Sequence, residues 1–484
     1  MPETILVITA LAVLAADLLT MRDLDNQFRR LVGAMIASVG CVAGIAWMLV
    51  MPQHGNFFDG MLVLDPLTQL VKIALLAITI FTILISIETD FTPHIGEYFA
   101  LILLAAIGMM FLVSSEDILM IFISLELTSL SLYILTAFNK RNVKSAEAAL
   151  KYFLFGGMSA AFTLFGLSLL YGLTGATRLS EIAAALKGPG LDPLLAVAIV
   201  MTVIGFGFKI AAVPFHLWAP DAYEGAPTPS AAFIASGSKI ASFFIFAKVL
   251  MIGFHGAEGA GAWRAFTPGW VPVIAVVAAA SMVLGNLAAI VQSSVRRLLA
   301  YSAIAHAGYI LLGMLSHGGD GLASVVFYVV TYGLTTVGAF GVVSLVQDRA
   351  GGDALSDFAG LSRRAPILSF CMMIFMLSLA GIPPLAGFFG KFYLFTAALK
   401  AAPENLGYVW LVLGAIALSA VSLYYYLQVL KQIYVAPAVE GATMQAPVLS
   451  QVVLGVLAIA VVVLGCAPNL LLSRLVSALQ IAGF

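Results

Sequence analysis

The chain has 484 residues, of which 62% are hydrophobic and only 10% charged, and its net charge is −1. That balance, with no basic tract, excludes a nucleic-acid binder, and the longest polar connections, around 174–193, 253–270, 348–365 and 431–448, are too short to bury a soluble core. Apolar runs of about 20 residues recur without the period-two alternation of barrel strands, so the fold class is an all-α polytopic membrane protein.

In chain order, the runs predict fourteen spans at about 2–20, 31–51, 63–87, 97–113, 117–138, 146–173, 194–215, 229–252, 271–291, 298–316, 322–347, 366–399, 406–430 and 449–470. The first carries Glu3 and no basic n-region, so it reads as a span with its N-terminus outside rather than a cleaved signal. With this numbering, odd loops hold twelve of the Lys and Arg residues and even loops and the tail hold five, which puts both termini on the outer side. Three cysteines, Cys41, Cys371 and Cys466, stand singly, which argues against iron–sulfur, zinc and covalent haem sites.

Two spans read as broken. In the seventh, Pro214 and Pro220 remove backbone donors on either side of His216; in the twelfth, Pro383 and Pro384 interrupt GIPPLAGFFG. Each break has a lysine within about two turns, Lys209 and Lys391. The breaks lie five spans apart, and Tyr133-Ile134-Leu135 recurs as Tyr309-Ile310-Leu311, as do Tyr152 and Gly157 at Tyr328 and Gly333, all at an offset of 176 residues. An odd number of helices per unit makes the second copy enter the membrane upside down. The expected organisation is one membrane domain: three N-terminal helices (1–96), a five-helix repeat (97–252), its inverted copy (271–434), and a C-terminal helix and tail (449–484).

Six lysines and one glutamate fall inside the spans: Lys72, Lys151, Lys209, Lys239, Lys248, Lys391 and Glu126. A charge at the bilayer centre costs roughly 2.5 to 3.5 kcal/mol, and lysine, unlike arginine, can shed its charge there, so the pattern points to proton movement. Glu126, mid-span, is expected to pair with Lys209, and Lys239 has no acid in its own helix. Lys391 is expected near the outward half, either as a relay or snorkelling to the interface. Lys151, near a span end, reads either as a relay or as an interfacial anchor, and Lys248 as snorkelling to the interface. Lys72 lies outside the repeat, with Asp65 on its face about 10 Å away, and reads as structural. His306, mid-span, is either a proton wire or a satisfied core histidine. Neither His216 nor His306 has a neighbour at metal spacing. Asp17, Glu88, Asp90, Glu97, Glu116, Asp117 and Glu147 read as span-end or loop charges.

The stretch PFHLWAPDAYEGAPTPSAAFIASGSK, from Pro214 to Lys239 with Lys209 before it, closely resembles the signature shared by antiporter-like subunits of respiratory complex I and by Mrp-type cation/proton antiporters. RRLLAYSAIAHAGYILLG, from Arg296, and GIPPLAGFFGKFYLF, from Gly381, resemble later signatures of that family, so the resemblance covers about Ile118 to Tyr434. It implies fourteen helices, two inverted five-helix bundles and broken seventh and twelfth helices. Lysine at 391 fits the N-type branch of NADH-quinone oxidoreductase subunits better than the M type, whose residue there is usually acidic. The absence of a long amphipathic extension after residue 470 argues against the L type.

Residue by residue, the resemblance implies that Glu126 is the span-five glutamate, Lys209 its partner, Lys239 the central and Lys391 the terminal lysine, and Lys151 a further basic position; at His306 the family varies. It further implies no cofactor in this chain, with NADH, FMN, iron–sulfur clusters and quinone in partner subunits of complex I, and a bacterial cytoplasmic membrane location with outward termini. The expected function is proton translocation driven by those partners. Two alternatives stand beside it: an Mrp-type sodium/proton antiporter subunit, although oxygen ligands for sodium are scarce in the deep spans, and a structural spacer that pumps nothing.

Overall fold

A computed structural model describes residues 2–51, 55–186, 191–262, 265–316, 318–401, 406–437, 444 and 446–482. The protein is built from helices. In the N-terminal unit these are α1 (Pro2–Leu19), α2 (Asn26–Val50) and α3 (Pro66–Ser86), followed by α4 (Ile95–Ser114), α5 (Ile118–Thr136), α6 (Val143–Thr174), a short α7 (Leu179–Ala185), α8 (Pro193–Lys209), α9 (Trp218–Gly225) and α10 (Thr228–Lys248). Then come α11 (Trp270–Ile290), α12 (Val295–Met314), α13 (Gly319–Ala350), a single turn α14 (Leu361–Arg364), α15 (Pro366–Ala380), α16 (Ala386–Ala401), α17 (Leu406–Tyr434), α18 (Val448–Cys466) and α19 (Asn469–Ala482). Two small antiparallel hairpins, Gly55–Phe57 with Leu62–Leu64 and Ala260–Ala262 with Ala265–Thr267, complete the described structure. Among the described residues, eleven helices are long and apolar enough to cross a membrane.

Local signals set the helix ends. Asp65 accepts from the Thr68 amide while Thr68 Oγ1 accepts from the Asp65 amide, a reciprocal cap on α3. Asp117, Asn142, Asp192 and Ser294 cap α5, α6, α8 and α12 in the same sense, each accepting an amide that has no partner in its own helix. Between the elements, α10 and α13 form the centre: every residue of α10 is buried, and it packs on α3, α4 and α13. α6 is peripheral, with Leu150, Phe153, Leu154, Met158 and Phe165 exposed on a face whose natural solvent is lipid.

Both expected breaks are present. α8 stops at Lys209 and α9 resumes at Trp218, with Pro214 and the buried His216 in the loop between; α15 stops at Ala380 and α16 resumes at Ala386, with Pro383 and Pro384 between. Pro220 does not make the first break, contrary to expectation. It stands in the first turn of α9, where no intrahelical donor is needed and proline is tolerated. At the first break Ala211 adopts φ 56°; at the second the left-handed position is Gly381, φ 87°, where a glycine is sterically free.

Several backbone groups freed by the breaks find side-chain partners, as burial in a membrane protein favours. Trp218 Nε1 donates to the Phe208 carbonyl at 2.9 Å, and the Val213 amide donates to Ser281 Oγ of α11 at 2.9 Å. At the second break Lys391 reaches back to the end of α15, and the Gly387 amide donates to Ser378 Oγ at 3.2 Å.

Several charges sit elsewhere than the sequence suggested. Lys72 pairs with Glu3 of α1 at 2.5 Å, both fully enclosed, while Asp65 is spent on its cap. Lys248 does not snorkel: it is buried and pairs with Glu116, because the turn between α4 and α5 folds over the end of α10. Asp17 does stand at the end of α1, two residues before Leu19, but not as a free surface charge. It is buried in a two-bond pair with Arg29, each bond 2.8 Å, and also accepts the Gly96 amide. The tail beyond α18 forms α19, which packs on α3 and α13.

Candidate functional site

The first half of the site is built by α5 and the end of α8. The capped α5 carries Glu126 eight residues in, and the chain break leaves Lys209 as the last residue of α8. Lys209 Nζ lies 3.5 Å from Glu126 Oε1 and donates to Ser129 Oγ, one turn along α5, at 2.5 Å. The lysine is buried, whereas Glu126 keeps about a quarter of its side chain accessible (26%). The pair therefore has one enclosed member and one that can be reached from the protein surface.

Lys239, midway along the wholly buried α10, has no carboxylate within ion-pair distance among the described residues. Its Nζ donates to the carbonyl of Ala303 on α12, 2.8 Å away. Ser302, next in sequence, shares a 2.5 Å hydrogen bond with the Tyr426 hydroxyl of α17, and Tyr426 stands 3.0 Å from His306 Nε2. His306 Nδ1 is 2.5 Å from the Tyr328 hydroxyl of α13, so both ring nitrogens are engaged and neither is free for a metal. The Tyr309 ring lies 5.7 Å from the His306 ring, centre to centre.

Lys391 closes the row. Its Nζ donates to the carbonyls of Leu379 and Ala380, each at 3.0 Å, and to Ser419 Oγ of α17 at 2.9 Å. Those two carbonyls are the unpaired, partially negative end of α15, so the broken helix itself supplies the counter-dipole. The ammonium also lies 5.1 Å from the centre of the Tyr309 ring, a favourable cation–π position. Tyr309 accepts from Asn286 Nδ2 at 3.0 Å, and Tyr425 donates to Asn286 Oδ1 at 3.0 Å.

Lys151 lies apart from this row. Forty-one per cent exposed, it pairs with Glu147 at 2.7 Å and with Asp221 of α9 at 2.8 Å. Asp221 also binds Arg297, which binds Glu224, which binds Lys144, so three acids and three bases tie α6, α9 and α12 together around a cavity of about 130 Å³. Close by, the loop residue Asp353 accepts from Ser294 and Arg296; burial raises its pKa, but the Arg296 charge and these hydrogen bonds hold the carboxyl below its usual range.

Sequence reasoning found the charges of the row and missed its hydroxyl groups. Ser129, Ser302 and Ser419 carry no signal of their own in apolar spans, and Tyr328 shows only as the repeat counterpart of Tyr152. The one usable clue to Tyr426 was the run of three tyrosines, Tyr424 to Tyr426, in a span otherwise rich in aliphatic residues.

Residues 115–419 match the family described as NADH:quinone oxidoreductase/Mrp antiporter, transmembrane. The chain is 53% identical over 482 residues to NADH-quinone oxidoreductase subunit N 2 of Acidobacterium capsulatum, covering 98% of this chain and 97% of that one. It is 36% identical to NADH-quinone oxidoreductase subunit N of Nitrosomonas europaea, with 99% and 97% covered. Among solved structures, a chain of respiratory complex I from Thermus thermophilus with bound aureothin superposes with TM-score 0.79 at 32% identity over 98% of this chain and 99% of that one. A chain of the Mrp complex from Dietzia shares the fold, with TM-score 0.80 at 20% identity over 99% and 97%.

Proposed function

The chain belongs to the NADH:quinone oxidoreductase/Mrp antiporter family, and from that premise we propose that it is the proton-translocating subunit N of a complex I in a bacterial cytoplasmic membrane. It partners with the other complex I subunits, and the enzyme activity belongs to the assembly: NADH oxidation and quinone reduction occur in partner subunits, and this chain converts the energy they release into proton movement. Its fourteen spans form two inverted five-helix units, spans four to eight and nine to thirteen, with both termini outward. The matching breaks in the seventh and twelfth spans and the charge asymmetry of the loops support that arrangement.

Glu126 gates Lys209, Lys239 carries the proton, and Lys391 releases it outward. With the Glu126–Lys209 pair closed, Lys239 loads from the cytoplasmic side. A charge or movement in a neighbouring subunit reaches the accessible face of Glu126 and weakens the pair; Lys209 then repels the proton on Lys239 toward His306 and Lys391. Moving one charge against about 150 mV costs roughly 3.5 kcal/mol. At an effective dielectric near 20, a like charge brought to about 5 Å supplies roughly 3 kcal/mol, so one freed lysine is of the right size to drive the step. Lys151 serves the cytoplasmic mouth rather than the row.

The observation that carries this reading is the contrast between a lysine held by a carboxylate, Lys209, and two buried lysines held only by neutral oxygens, Lys239 and Lys391. Lys239→Met in the assembled complex tests it. Proton pumping into membrane vesicles should vanish while the complex still assembles; full pumping with normal assembly would overturn the proposal.

A further inference from the structure

The ring of Tyr309 touches two members of the row: its face meets the Lys391 ammonium, and its plane stands at 83° to that of His306, edge to face. Face and edge are not equivalent. An aromatic face is negative and its rim positive, so a ring turned edge-on would repel the cation that it now attracts. The torsion that sets the plane of a tyrosine ring is broad, so the side chain alone does not choose between the two. Something outside Tyr309 has to hold it.

One side chain on α11, Asn286, is placed to do so. Two glycines let the α11 and α12 backbones meet: a β-carbon on Gly285 would fall 2.4 Å from the Ala305 amide nitrogen, and one on Gly308 would fall 2.7 Å from the Ala278 carbonyl oxygen. The residues that follow these glycines are Asn286 and Tyr309, and the close approach brings the short amide within reach of the phenol. Asn286 is fully buried. Its Nδ2 donates to the Met282 carbonyl at 2.7 Å and to the Tyr309 hydroxyl at 3.0 Å, and its Oδ1 accepts from the Tyr425 hydroxyl at 3.0 Å. A flipped amide would set its oxygen against the Met282 carbonyl oxygen, so the hydrogen bonds fix this orientation. Tyr425 in turn packs ring to ring on Tyr426, 4.5 Å between centres, and Tyr426 holds His306.

We propose that Asn286 is a positioning residue for the proton step at Lys391. It touches no reacting atom; it acts through Tyr309, locking the ring face-on to the ammonium and tying that ring to the tyrosine pair beside His306. The inference rests on the proposed proton-carrying role of the lysine row. The ring attracts Lys391 only while the lysine carries the proton, because the attraction is to the positive charge. Without the amide, the Tyr309 and Tyr425 hydroxyls lose their shared partner and the ring is free to tilt toward its positive rim.

The test uses the whole complex in proteoliposomes, with Tyr309 replaced by tyrosines bearing one, two or three ring fluorines, which keep the hydroxyl and drain charge from the ring face. With Asn286 in place, pumping should fall stepwise, about tenfold over the series. In Asn286→Leu, pumping should start about tenfold lower and stay within about twofold across the same series, because the face no longer meets the cation. An amide that only fills space would lower pumping and leave the fluorine dependence as steep as before. A flat series with Asn286 present, or an equal slope in Asn286→Leu, would overturn the proposal. Asn286→Ser repeats the comparison with a smaller side chain, and loss of assembly in both variants would make the amide a structural residue and overturn it too. Lys391→Met serves as the reference. If it abolishes pumping while the fluorine series does not respond to Asn286, only the positioning role fails; if it leaves pumping intact, the proton-carrying reading fails first.

Discussion

The two broken helices hold their lysines by different physics. At the first, Lys209 is matched by a charged partner, the Glu126 carboxylate, that is partly accessible. At the second, Lys391 is matched by two carbonyls, a serine hydroxyl and an aromatic face, which cannot change charge. On the proposed reading, a charged and partly accessible partner is what lets charge outside the subunit act on the first break. Fixed dipoles give the second a constant environment, suited to a group that must gain and lose a proton at a set energy.

Arginine separates the two most sharply, because it cannot deprotonate at any accessible pH. Lys391→Arg should abolish pumping, a loss of at least about 100-fold, or roughly 3 kcal/mol. Lys209→Arg preserves a charge opposite Glu126 and should lose about tenfold or less. Vesicle acidification assays on the assembled complex read both, and equal losses at the two positions would erase the distinction between them.

A smaller effect should follow from neutralising the charged partner. Glu126→Gln removes the counter-charge of a buried lysine. Breaking a fully buried pair costs roughly 3 to 5 kcal/mol, but the accessibility of Glu126 screens part of it, so a loss of about tenfold in pumping is expected. Ser419→Ala at the other break deletes one of three neutral acceptors, worth about 1 kcal/mol, and should slow turnover about fivefold or less. Tyr426→Phe, which unties His306 and Ser302 together, belongs in the same range. Initial rates of quinone-coupled proton uptake rank the three; a Ser419→Ala defect exceeding that of Glu126→Gln would reverse the assignment.

These contrasts were unevenly legible in the sequence. The breaks announce themselves through proline and glycine, and Glu126 with Lys209 through the cost of burying charge, because both signals are local and large. Tyr328 shows in the sequence only as a repeat match to Tyr152 and Tyr426 only within a tyrosine run; their meeting at His306 needs α13 and α17 to fold together. Lys248 was misjudged, and the partner of Lys72 missed, for a related reason: Glu116 and Glu3 come from other elements, and no helical periodicity reports that. Pro220 misled because the same residue breaks a helix interior and begins a helix comfortably, and only the restart at Trp218 decides which.

The Glu3–Lys72 pair gives the smallest expected effect on pumping and tests whether burial alone makes a lysine functional. It is at least as enclosed as Glu126–Lys209 but joins two unbroken helices, α1 and α3. If a break is what turns a buried lysine into a carrier, replacing both residues, Glu3→Gln with Lys72→Met, should leave pumping within about twofold. Stability should respond instead, and in a particular order. Glu3→Gln alone strands an ammonium without its counter-charge and should lower the thermal midpoint of the purified complex more than the double replacement, which leaves no charge to desolvate. Should the double variant lose pumping as Glu126→Gln does, the pair would join the working row and the break would cease to be the deciding feature.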